Sequence, residues 1–309
     1  MSSEKTKIKD YLPMFVMAGI IIIVQITALL LATPMYDNEM IAFEDPESTA
    51  NSILYILIIL IFTFLLLVAI KRQMQWVIQL TILLAVGATM YYVFYALLSL
   101  TDISEMANNV TSITVAAGLT ILLYKFPEWY VINIIGLIIG AGASAIFGIS
   151  LSIMPVIVLL VLLAVYDAIS VYKTKHMIDL AEGVMDLRLP ILFVIPKHPG
   201  YSFIEDSFKK EKGKEREAFF MGLGDAIIPT ILVVSANFFL VQKDPTISSL
   251  GFISYPALGA MIGTIIGFAV LSMLVMKGKP QAGLPFLNSG VIIGYIAGVL
   301  ASGAGTPFY

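Results

Sequence analysis

Residues 150–172 read SLSIMPVIVLLVLLAVYDAISVY. An apolar run of about 20 residues is long enough to cross the hydrocarbon of a bilayer as a helix. Its one formally charged residue, Asp167, lies six positions before Lys173, at the polar end of the run. The stretch is therefore a membrane span carrying a carboxyl group about 9 Å from its polar end, at 1.5 Å of rise per residue.

Working outward, eight further apolar runs fall near residues 12–33, 51–70, 76–100, 109–125, 129–148, 218–240, 249–276 and 285–304. The expectation is an all-α membrane protein of nine transmembrane helices. The first run is too long for the core of a signal peptide and no small-residue cleavage site follows it, so it counts as a span. Composition agrees: of 309 residues 59% are hydrophobic and 13% charged, about half the charged fraction of a soluble domain.

The charges orient the spans. With nine passes and a cytoplasmic N-terminus, 17 of the 18 Lys and Arg residues fall on the cytoplasmic side and only Lys243 outside. The outer loops hold Asp37, Glu39, Glu44, Asp45, Glu47, Asp102, Glu105 and Asp244. The positive-inside rule expects this division, and it places the C-terminus externally. Three regions follow: 1–172 with helices one to six, a cytoplasmic hydrophilic loop at 173–217, and 218–309 with helices seven to nine. Within the loop, apolar positions Met177, Leu180, Ala181, Val184 and Met185 recur at helical intervals, which predicts an amphipathic surface helix ended by Pro190. A short apolar run, Ile191–Ile195, follows. The mixed charges from Glu205 to Glu217 read as a solvated flexible loop.

A net charge of −3 gives no reason to expect a nucleic-acid partner. With no Cys, there is neither a thiol nucleophile nor a thiolate metal site. His176 and His198 are too few for a zinc protease, and no metal or other cofactor is implied. Only Asp167 and Asp225 are formally charged and far from the end of a span. An ionisable residue in hydrocarbon is costly and marks function by default. Asp225 lies eight residues beyond Glu217, about 12 Å along a helix entering from the same side. On consecutive antiparallel helices the two carboxyls can meet at one depth. Two close carboxylates in a low-dielectric site share one proton, so one can take a proton from water while the other donates to a carbonyl. Gly222 and Gly224 remove side chains beside Asp225, and Pro229 is expected to break the helix just beyond. The same pair could instead serve a proton- or ion-coupled transporter, or be a buried structural pair.

At these residues the chain resembles a known family. Tyr166-Asp167, within AVYDAISV, resembles the first motif of presenilin-type aspartyl proteases, and Gly222-Leu223-Gly224-Asp225 resembles the second, G-x-G-D. A third family element, Pro-Ala-Leu at the start of helix nine, has a partial counterpart in Leu284-Pro285-Phe286-Leu287. The literal Pro256-Ala257-Leu258 stands at the outer end of helix eight, where that motif does not belong. The resemblance covers the whole chain in order. Signal peptide peptidases share the motifs, but their resemblance implies an inverted topology, whereas the charge distribution here favours the presenilin orientation of archaeal or other microbial homologues. It implies an aspartic endopeptidase of the cell membrane that hydrolyses peptide bonds inside single-span transmembrane helices. Asp167 and Asp225 would be catalytic, Tyr166, Gly222, Leu223 and Gly224 would support them, and Pro285, Phe286 and Leu287 would meet substrate. The partners implied are transmembrane-helix substrates and membrane lipid. No obligatory partner subunit is evident, and a homo-oligomer stays open. A substrate helix must unwind to be cut, and its exposed amides would pair by strand addition. Pro285–Leu287, kept non-helical by the proline, and the residues before Gly222 are the expected edge.

Two stripes have a packing role. Gly259, Gly263 and Gly267, and likewise Gly290, Gly294 and Gly298, repeat every four residues and should let two helices approach closely.

Overall fold

A backbone in hydrocarbon has to satisfy its own amides, and the apolar runs do so as helices. The computed structural model describes residues 2–72, 74–174, 192–198, 200–204, 217–243, 249–276 and 281–303. Among them nine helices are long and apolar enough to cross a membrane. They are α1 (Ser2–Asp37), α2 (Thr49–Lys71), α3 (Gln75–Leu98), α4 (Glu105–Lys125), α5 (Trp129–Ser150), α6 (Ile153–Ile169), α7 (Leu223–Lys243), α8 (Tyr255–Val275) and α9 (Leu284–Ser302). The last turn of α6 widens into a π-helix at Ser170–Thr174. The amphipathic helix expected at 176–189 lies outside the described residues, as does 205–216 of the mixed-charge stretch.

Burial sets the helices' places. In α7, 67% of the most apolar stretch is buried, against 6% in α2. The first is the centre of the bundle and the second lies on its rim. Around α7 pack α1, α5, α6, α8 and α9. Polar side chains stitch these helices by bonding to carbonyls of a neighbouring helix. Ser52 Oγ donates to the Pro155 carbonyl at 2.6 Å, joining α2 to α6. Asn288 Nδ2 donates to the Leu160 carbonyl at 2.8 Å, joining α9 to α6.

Three expectations are corrected. Ala218–Gly222 are not the start of helix seven but a strand, β2, antiparallel to β1 (Leu192–Pro196). Two short strands, β3 (Ser249–Leu250) and β4 (Ile253–Ser254), likewise precede α8 where the apolar run was read as helix. Hydropathy sees apolar residues and not their hydrogen-bond partners. β1, which falls on the short apolar run read at Ile191–Ile195, packs inside the bundle: Phe193 and Val194 are fully buried. The Asn133 amide of α5 clamps Val194 from both sides, accepting from its N–H at 2.8 Å and donating to its carbonyl at 2.7 Å. Glu128, at the start of α5, accepts from Ser202 Oγ at 2.7 Å and Phe203 N at 3.0 Å. Nor does Pro229 break α7, which runs through it unbroken. One residue on, Thr230 Oγ1 donates to Ala226 O at 2.6 Å.

The glycine stripes meet each other across α8 and α9. A Cβ on Gly263 would run into the Gly290 carbonyl oxygen and lie 2.9 Å from Gly294 Cα. Gly263→Ala should therefore overpack this contact at a cost of about 1–3 kcal/mol and lower the unfolding temperature in detergent. Gly118→Ala in α4, where a Cβ meets nothing within 4 Å, should be neutral or stabilising because Ala is the better helix former. Equal unfolding temperatures for the two variants would remove this account of the α8–α9 contact.

Candidate active site

Asp167 is buried, 8% exposed, on the last turn of α6. Asp225 sits in the first turn of α7, directly after β2, because Gly222 ends the strand and Leu223 opens the helix. At a helix start the backbone amides lack internal partners, and the Gly222 amide faces the Asp225 carboxyl. The strand-to-helix junction is anchored by Leu223, whose side chain fits against Gly136 and Gly140 of α5. A Cβ on Gly222 would stand 3.2 Å from Asp225 Oδ2. Gly224 is exposed and a Cβ there would meet nothing within 4 Å, so it leaves open space beside the carboxyl.

The two carboxyls lie against one stretch of backbone. What brings them together is the segment before α9. Leu284 N donates to Asp167 Oδ2 at 3.1 Å, and the Gly283 amide faces the same carboxyl. Gly283 also lies against Asp225: a Cβ there would be 2.8 Å from Oδ1 and 3.2 Å from Oδ2. One Gly283–Leu284 peptide thus borders both acids.

The remaining residues singled out in sequence fall as follows. Tyr166 is half-buried on α6 beside Asp167. Pro285 does not hold an extended strand. It occupies the first turn of α9, where a missing amide hydrogen costs nothing. Phe286 is half-buried, and its carbonyl lies against Gly267 of α8. Leu287 is fully buried in a cluster with Phe193, Met221 and Ala226. Pro256-Ala257-Leu258 opens α8, whereas it is Leu284 that stands at Asp167.

Sequence reading missed Gly283, whose role depends on a carboxylate 58 positions away in the chain (283 less 225). It also missed Asn288, 1% exposed, one turn beyond Leu284. An Asn inside an apolar span was a legible hint. No group of three or more His, Cys, Asp or Glu residues placed to hold a metal ion occurs among the described residues.

Residues 18–304 match the family described as signal-peptide peptidase, presenilin aspartyl protease. Two solved structures of a presenilin family intramembrane aspartate protease, in space groups C222 and P2, superpose with TM-scores of 0.69 and 0.66. Both are 40% identical to this chain and cover 94% of it and 99% of their own length. Mouse signal peptide peptidase-like 2A is 31% identical over 137 residues, 41% of this chain but only 24% of that protein's length. The chain belongs to the signal-peptide peptidase and presenilin family of aspartyl proteases. The transporter alternative gains no support.

Gly283→Ala tests the juxtaposition. The added methyl would displace the Asp225 carboxyl, and a shift of that kind can cost up to about 100-fold in rate. Hydrolysis should fall by at least about tenfold while the unfolding temperature holds. Unchanged turnover would show that Gly283 does not border a working site.

Proposed function

We propose that this chain is an intramembrane aspartic endopeptidase that hydrolyses peptide bonds within transmembrane helices of single-span membrane proteins. The observation that carries the reading is the meeting of two intramembrane carboxyls, from α6 and α7, at one Gly283–Leu284 peptide. Asp167 and Asp225 share one proton and hold a water between them. The anionic partner takes a proton from the water as its oxygen adds to the scissile carbonyl carbon. The neutral partner gives its proton to the carbonyl oxygen, producing a diol. Collapse of the diol breaks the C–N bond, and the departing nitrogen receives a proton from the pair. The titration belongs to the pair, so the two roles are not divided between residues here.

Open space at Gly224 is where a substrate backbone reaches the acids. An unwound substrate segment needs hydrogen-bond partners at membrane depth, and a third strand on the far side of β2 supplies them. Two findings favour β2. The Asn133 clamp already engages the outer edge of β1 at Val194. β2 also runs straight into Gly222 and Asp225. The charge distribution supports a cytoplasmic N-terminus, an external C-terminus and a cytoplasmic segment between α6 and α7, in the cell membrane.

Detergent-purified protein incubated with a transmembrane peptide should release two fragments, and Asp167→Ala or Asp225→Ala should each abolish them. Fragment release that survives both substitutions would refute the assignment.

A further inference from the structure

We infer that Tyr172 is a positioning residue for the two carboxyls, acting through the strap Gln281–Leu284; the inference rests on the proposed roles of Asp167 and Asp225. Tyr172 lies in the π-helical turn that ends α6. On a regular α-helix a side chain five residues after Asp167 would point well away from it, at 100° per residue. From the wider turn, with its i→i+5 bonding, Tyr172 instead reaches the strap that borders the carboxyls. Its hydroxyl donates to Gln281 Oε1 at 2.9 Å and accepts from Ala282 N at 3.3 Å.

The next two residues are those that touch the acids. Gly283 lies against Asp225, and Leu284 N donates to Asp167. Residues 281 and 282 belong to no helix or strand, so no regular ladder sets their place. Ala282 is fully buried, and a buried amide needs a partner. A phenol both donates and accepts, and here one hydroxyl ties the strap to the same helix that carries Asp167. The Leu284 amide is thereby aimed at Asp167 Oδ2, and the Gly283 backbone is held against Asp225.

Tyr172→Phe removes only that hydroxyl, on a ring that is 52% exposed. In the transmembrane-peptide assay kcat should fall about tenfold, the scale of one lost hydrogen bond. KM should stay within about twofold, because the hydroxyl orients the acids and does not hold substrate. The unfolding temperature should fall by only a few degrees, the scale of leaving the Ala282 amide without its partner. Gln281→Ala should also lower kcat, and the double variant should be no worse than Tyr172→Phe alone, since both act on one tether. A kcat for Tyr172→Phe within about twofold of wild type, a rise in KM at constant kcat, or losses that multiply in the double variant would each overturn the inference. The Asp167→Ala and Asp225→Ala controls keep the two readings apart. If wild type fails to cleave, or those variants still cleave, the carboxylate assignment itself fails.

Discussion

Hydrocarbon offers no hydrogen-bond partner, and among the described residues the departures from helix near the two acids answer to that constraint. Where the backbone leaves α-helix near the two acids, a polar group from elsewhere in the fold meets it. Asn133 meets Val194, Glu128 meets Phe203, the Tyr172 hydroxyl meets Ala282, and Asp167 meets Leu284. In the last case the partner that answers the backbone's need is itself a carboxylate proposed to be catalytic. The bond that lets the strap exist at membrane depth also orients the acid.

This arrangement puts a polar reaction into an apolar bundle without opening the bundle. The most buried helix, α7, begins at the site, so its first turn can present Asp225 while the rest of it organises the core. Close approach of α8 and α9 through glycine brings the start of α9 to α6 and α7. Asn288 then fastens α9 to α6 one turn beyond the site. The rim helices α2, α3 and α4 are less buried, as suits elements that face lipid and do not build the site.

The family's motifs acquire a physical meaning in these terms. Of the G-x-G-D stretch, Gly222 ends a strand close against Asp225, Leu223 anchors the junction on α5, and Gly224 leaves the open side. Of the stretch at the start of α9, Leu284 contributes a backbone amide and Leu287 contributes packing, while Pro285 starts the helix. At Phe286, which stands where the family pattern has Ala, the backbone carbonyl lies against Gly267.

By itself the sequence determined the nine spans found among the described residues and singled out the two carboxyls on consecutive spans. Hydropathy and charge are properties of single residues summed along a helix, and depth follows from counting rise. The glycine stripes were legible for the same reason, because a four-residue period marks one helix face. Only the tertiary structure decided that residues 218–222 are a strand, that Gly283 and Leu284 border both acids, and that Tyr172 holds the strap. Each of those depends on a partner remote in the chain: β1 for β2, Asp167 for Leu284 across 117 positions, and Ala282 for Tyr172 across 110. An apolar pattern does not specify which distant backbone group will satisfy which, and in a membrane that pairing is what shapes the site.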